Sequence, residues 1–216
     1  MEWDDLAITP LVEFLKHQRI PASQWPVLTA LAQTQLPKPY HFLLTQPLMT
    51  VGLQQFYQRK PMLRAPLYSV YDESNQQYSR AIVLMIDSCQ RRNDALVADQ
   101  ASEAQPIVLG FITMNLSALP VKMVSDVLEA KTPLGALLAD SALNLHSQRR
   151  YLNLRDRQQV LTASLGATST RTLYGRTNAL SLADGQWVAR VVEVLSPHVC
   201  RNSLDSFEKT LFNSTL

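Results

Sequence analysis

Cysteine is nearly absent: only Cys89 and Cys200 occur among 216 residues, far apart and without a Cys-x-x-Cys spacing. Neither a disulfide framework nor a thiolate zinc site is suggested, and a reducing compartment is expected. Also missing are the His-Glu-x-x-His helix, the Gly-x-Gly-x-x-Gly turn and the P-loop, so no metal and no nucleotide cofactor is expected. No stretch of roughly 18 apolar residues runs together, which excludes an integral membrane helix. Glu2, Asp4 and Asp5 stand where a signal peptide would carry positive charge, and a cytoplasmic protein is expected. An excess of one charge is missing as well, since 20 basic and 18 acidic residues leave a net +2, too little to imply a nucleic-acid or anionic-membrane partner. The four histidines, His17, His41, His146 and His198, form no spaced cluster, and no Ser-His-Asp set can be assembled.

What is present is a globular balance, 46% hydrophobic and 18% charged, enough to bury one core, so residues 1–216 are expected to form a single domain. Residues 1–42 read as a helical extension. Thr9-Pro10 offers a start before Leu11, Phe14 and Leu15, Ile20-Pro21 ends that helix, and a second helix is expected from Ser23. Leu48 to Gln58 suggests a further helix or, given Gly52 and its β-branched residues, partly a strand. Met62 to Val70 and Tyr78 to Ile86 read as strands joined by the turn Asp72-Glu73-Ser74-Asn75. Residues 87–105 turn polar and read as an exposed insertion. Strand character returns at Ile107 to Leu116, a helix follows through Val121, Val124 and Leu128, and another is expected from Thr132-Pro133 with Thr132 as N-cap. Three last strands are expected at Gln159 to Ser164, Thr172 to Leu182 and Gln186 to Leu195, the final two joined by Ala183-Asp184-Gly185. Hairpin-linked strands with segregated helices make an α+β protein on a mainly antiparallel sheet.

Two charges fall on apolar strand faces. Residues two apart share a face, so Arg80 lies with Tyr78, Ile82, Leu84 and Ile86, and Glu193 with Trp187, Ala189, Val191 and Leu195. Arg190 falls on the opposite face, between Val188 and Val192. A charge taken out of water must be paired or hydrogen-bonded. Either Arg80 and Glu193 meet as an ion pair or reach solvent at strand ends, or they mark two ends of a pocket. In such a pocket Arg80 takes a ligand carboxylate and Glu193 a hydroxyl or proton, which would suit a small aromatic acid.

Lys131-Thr132-Pro133-Leu134-Gly135, Leu173-Tyr174-Gly175-Arg176 and Val192-Glu193-Val194-Leu195-Ser196-Pro197, in that order, resemble the bacterial chorismate lyases of the ubiquinone pathway. The resemblance runs from about Leu43 to Pro197. It implies a six-stranded antiparallel sheet with a ligand site closed under helical flaps. It also implies a cofactor-free carbon–oxygen lyase that releases pyruvate from chorismate to leave 4-hydroxybenzoate. Carried over by motif, Arg80 would bind the ring carboxylate, Leu134 would pack on the ring, Glu193 would stand beside the hydroxyl, and Met49 would come from a flap. Arg176 would be available to a second carboxylate. One departure is that Phe111 follows Gly110 where that family usually has an arginine.

The chemistry implied needs orientation and proton handling rather than a metal. Arg80 and Glu193 are the expected catalytic pair, and Arg80, Leu134, Glu193, Met49 and Arg176 the expected binding residues. Two other readings compete with the lyase. One is a non-catalytic aromatic-acid binding or sensor module, because the same architecture serves as the effector-binding half of certain bacterial transcription regulators. The other is a lyase paralogue acting on a related enolpyruvyl ether. No DNA-binding segment is expected, since the N-terminal stretch lacks a basic recognition helix.

Overall fold

The computed structural model describes residues 6–89, 92, 94–167 and 172–197. Cys200 and His198, weighed above, lie outside the described residues. Among the described residues eight strands form one open antiparallel sheet: β1 (Val27–Leu31), β2 (Met62–Leu63), β3 (Tyr68–Asp72), β4 (Gln77–Asp87), β5 (Ala104–Asn115), β6 (Leu145–Arg155), β7 (Thr172–Leu182) and β8 (Trp187–Leu195). Their order across the sheet is β1-β6-β7-β8-β5-β4-β2, with β3 also on β4. The fold is therefore α+β, with eight strands where six were expected.

Both faces are covered, which explains why β4, β5 and β8 read as nearly continuous apolar runs rather than as alternation. On one face Ile82, Leu84, Val108, Ile112, Val191 and Leu195 pack beneath four helices: α2 (Tyr40–Thr45), α3 (Met49–Tyr57), α5 (Val121–Glu129) and α6 (Leu134–Ala139). On the other, Ala81, Val83, Leu109, Phe111, Val192 and Val194 receive Leu11, Phe14 and Leu15 of α1 (Thr9–His17). The Phe14 and Phe111 rings lie 5.0 Å apart between centroids. These spacings on α1 are the i, i+3, i+4 stripe of a surface helix. Among the described residues no helix is long and apolar enough to cross a membrane.

Several expectations are corrected by tertiary contacts. Residues 27–31, read as helix, form the edge strand β1 because β6 offers them a hydrogen-bonding ladder from Arg155 to Tyr151. Residues 1–42 thus contribute a strand as well as α1. Met62 to Val70 is two strands, β2 and β3, split where Pro66 cannot donate to a ladder. Within 87–105 a short helix, α4 (Ala95–Gln100), is capped by the Asp94 carboxylate, which accepts from the amides of Leu96 at 2.8 Å and Val97 at 3.1 Å. Helix α6 begins at Leu134 with Pro133 at its N-cap and no side-chain cap, so Thr132 does not serve in that role. The Asp184-Gly185 hairpin stands as read: Gly185 takes φ +89°, and the Asp184 side chain accepts from the amide of Gln186 at 2.9 Å.

The strand expected at Gln159 to Ser164 is instead a loop, and the missing strand is β6, whose polar outer residues hid it. Asp156, 1% exposed, decides the loop: its Oδ2 accepts from the amides of Leu161 at 2.8 Å and Thr162 at 2.7 Å and from the Thr162 hydroxyl at 2.6 Å, while Oδ1 accepts from the Val160 amide at 3.0 Å. Leu161 and Leu165 are thereby turned into the core beside Leu154 and Leu173. Asp156→Ala would leave those buried donors without acceptors, at roughly 1–3 kcal/mol per group before relaxation. We expect it to lower the unfolding free energy by about 2–4 kcal/mol in urea titration, and a loss under about 0.5 kcal/mol would show that the loop is not organised by this side chain.

Candidate ligand-binding site

One row of residues crosses the sheet on the face beneath α3 and α6. Ile82 of β4 pairs with Gly110 of β5, Gly110 with Glu193 of β8, and Glu193 with Arg176 of β7. The next row runs Arg80, Ile112, Val191, Asn178. Apart from Arg80, the residues of these two rows floor a cavity of about 40 Å³. Met49 and Thr50 of α3 and Leu134, Gly135 and Leu138 of α6 roof it. The two helices meet closely at Gly135, where a Cβ would come within 2.7 Å of the Thr50 hydroxyl oxygen. Gly110 opens the floor, since a Cβ there would sit 3.2 Å from the Ile82 side chain.

Of the residues named from sequence, Met49, Leu134, Arg176 and Glu193 line this cavity, and Arg80 is not among its walls. Glu193 does not pair with Arg80. Its Oε2 accepts from Arg176 Nε at 2.6 Å, in a pair whose side chains are 14% and 1% exposed. Two strand spacings separate Arg80 from Glu193 across the sheet, about 10 Å. Asn178 was missed from sequence, although it shares Arg176's face by the parity argument that found Arg80.

The Arg176 guanidinium also reaches upward. Nη1 donates to the carbonyl of Leu44 at 2.9 Å and to that of Gln46. Arg149 donates to the carbonyl of Thr45, and Asn178 Nδ2 to that of Pro47 at 3.5 Å. Four consecutive carbonyls, from Leu44 in the last turn of α2 to Pro47 ahead of α3, are thus answered by three side chains of the sheet. The charge pair on the floor and the position of α3 in the roof are therefore mechanically joined.

Arg80 is 1% exposed, and among the described residues no carboxylate pairs with it. Its Nη1 donates to the Val127 carbonyl at 3.2 Å and its Nη2 to the Thr132 carbonyl at 3.4 Å. Its Nε is buried without an acceptor. Val127 lies in the last turn of α5, where the carbonyl ends of the helix offset part of the positive charge. Burial pushes the guanidinium's pKa below its ordinary value, and the neighbouring Tyr78 side chain opposes that shift. A carboxylate using Nε and one Nη would find the group already oriented by the two carbonyls.

Phe111 points to the opposite face, against Phe14 of α1. The residue at this position, whatever its type, is directed away from the cavity, so the absence of an arginine there does not alter the site.

Neither a family model nor a curated protein matches the chain. Solved structures do. PhnF from Mycobacterium smegmatis is 8% identical with a TM-score of 0.47, over 68% of this chain and 63% of that one. A Bordetella bronchiseptica structure, described as the ligand-binding domain of a GntR-family regulator, is 8% identical with a TM-score of 0.43, over 63% of this chain and 86% of that one. YydK from Bacillus subtilis, described as a possible transcriptional regulator, is 11% identical with a TM-score of 0.41, over 86% of this chain and 75% of that one. This chain spans 63% of the length of PhnF. None of these three is described as a lyase, and the expectation of a chorismate lyase enzyme is corrected on that finding.

Removing one member of the Arg176–Glu193 pair strands the other in the core. We expect Arg176→Met and Glu193→Leu each to lower stability by about 3–5 kcal/mol in denaturant unfolding. Combining them should cost clearly less than the sum of the two single losses without returning to wild type, because the carbonyls of Leu44 and Gln46 stay unanswered. Amide exchange should rise within residues 49–57 in Arg176→Met and not in Glu193→Leu. Equal exchange in both variants would separate the pair from the roof.

Proposed function

We propose that this chain is a non-catalytic module that binds a small aromatic acid, its ligand lying between the sheet and helices α3 and α6. The observation that carries this reading is the Arg80 guanidinium, buried, lacking any carboxylate partner among the described residues, and left with an unused Nε donor. An isolated buried cation costs several kcal/mol of desolvation, and an incoming carboxylate offsets that cost where the two carbonyls do so only in part. The apolar walls, Ile82, Ile112, Val191, Leu134 and Met49, suit a ring. Glu193, already neutralised by Arg176, suits a hydroxyl donor at the far end rather than a second carboxylate.

The cavity holds about 40 Å³, whereas an engineered apolar cavity of about 150 Å³ binds benzene. A ring therefore enters only as α3 and α6 part. Ligand binding and the position of these helices are then linked, which is what a sensor module requires.

4-Hydroxybenzoate is the test ligand. Saturating amounts should raise the melting temperature of the wild-type chain by mass action. Arg80→Leu should remain folded and bind more than about tenfold more weakly, since truncating one partner of a buried charge pair costs about 2–5 kcal/mol. No thermal shift in the wild type, or unaltered affinity in Arg80→Leu, would sink the reading. Chorismate incubated with the chain should yield no pyruvate above the uncatalysed background.

A further inference from the structure

A second, larger hollow lies immediately outside the roof. It measures about 200 Å³ and runs between Lys60–Leu63, at the end of α3 and along β2, and Lys131–Pro133, between α5 and α6. Pro133 walls both this groove and the inner cavity, so one residue partitions them. Leu63 of the groove pairs with Leu84, a wall of the inner cavity, and the carbonyl of Thr132, another groove wall, accepts from Arg80. Two of the groove's walls are cationic and none is acidic. Lys131 does meet Glu129 at 3.1 Å, but these side chains are 79% and 54% exposed, and a pair so placed contributes little and leaves the ammonium free to interact with a passing anion.

We infer that this groove is the port through which an anionic ligand reaches the inner cavity, Lys60 and Lys131 drawing in the carboxylate before Pro133 and Leu134 swing aside to deliver it to Arg80. The inference rests on the reading of the inner cavity as an aromatic-acid site. Three features converge on it. The groove has the size of the ring that the inner cavity must admit. Its only charged walls carry the sign that attracts a carboxylate. The partition it shares with the cavity starts α6, the helix that has to move. Solvent-exposed charges at a rim act on encounter, while the buried guanidinium acts on residence, so the two roles separate kinetically.

The test measures association and dissociation of 4-hydroxybenzoate by NMR line shape on the full chain, at low and high salt. In Lys60→Ala/Lys131→Ala the association rate should fall by about three- to tenfold at low ionic strength, converge on wild type at high salt, and leave dissociation unchanged. In Leu63→Trp, whose indole fills the groove, association and dissociation should slow by the same factor and the Kd should stay constant, the signature of an obstructed path rather than a damaged site. Arg80→Leu should instead accelerate dissociation. Wild-type rates in both groove variants, with Arg80→Leu still impaired, overturn the port and leave the binding reading standing. An absence of binding to the wild type overturns both.

Discussion

Arg176 is the point at which the two layers of this protein are held in register. Its guanidinium, 1% exposed, spends Nε on Glu193 and Nη1 on the carbonyls of Leu44 and Gln46. A planar group with five donors can serve a carboxylate and a pair of carbonyls at once, which no lysine can do. The last carbonyls of α2 and those of the connection to α3 have no partner within a helix or ladder and need other donors. Arg176, with Arg149 and Asn178, supplies the answer, and Met49 and Thr50 consequently stand over the cavity.

The second guanidinium is handled differently. Arg80 has no carboxylate beside it among the described residues and relies on two carbonyls, one of them in the last turn of α5. The sheet face beneath the helices therefore carries a satisfied arginine in the cavity floor and an underused one beside the floor residue Ile112. That asymmetry gives the site a direction, in which the neutral pair accepts a donor and the lone cation accepts an anion. Small residues make the enclosure possible, with Gly135 letting α6 approach α3 and Gly110 leaving room in the floor.

Much of the site was legible in the order of residues. Strand parity marked Arg80 and Glu193 as charges on apolar faces, and the register puts both on the face beneath the helices. Parity cannot say which charge answers which, because that depends on the order of strands across the sheet. With β5 between β4 and β8, Arg80 and Glu193 are held apart. Arg176, on the strand next to β8, takes the carboxylate. The departure at Phe111 lost its force for the same reason, since its side chain belongs to the other layer, where α1 packs.

What the sequence determined by itself is local: the helices at α1, α3 and α5, the Asp184-Gly185 hairpin, the continuous apolar strands, and the alternation that points particular side chains to one face. Propensity, turn chemistry and periodicity act over a few residues and are written there. Tertiary structure decided the rest. Residues 27–31 became a strand because β6 presented an edge, 159–164 became a loop because the Asp156 carboxylate gathered its amides, and β6 formed although its outward residues are polar. The ladder partners of residues 27–31 lie more than a hundred residues along the chain, and the Asp156 carboxylate, though only four to six residues from its amides, turns Leu161 and Leu165 into a core built by distant strands, so neither influence is visible until the sheet has closed.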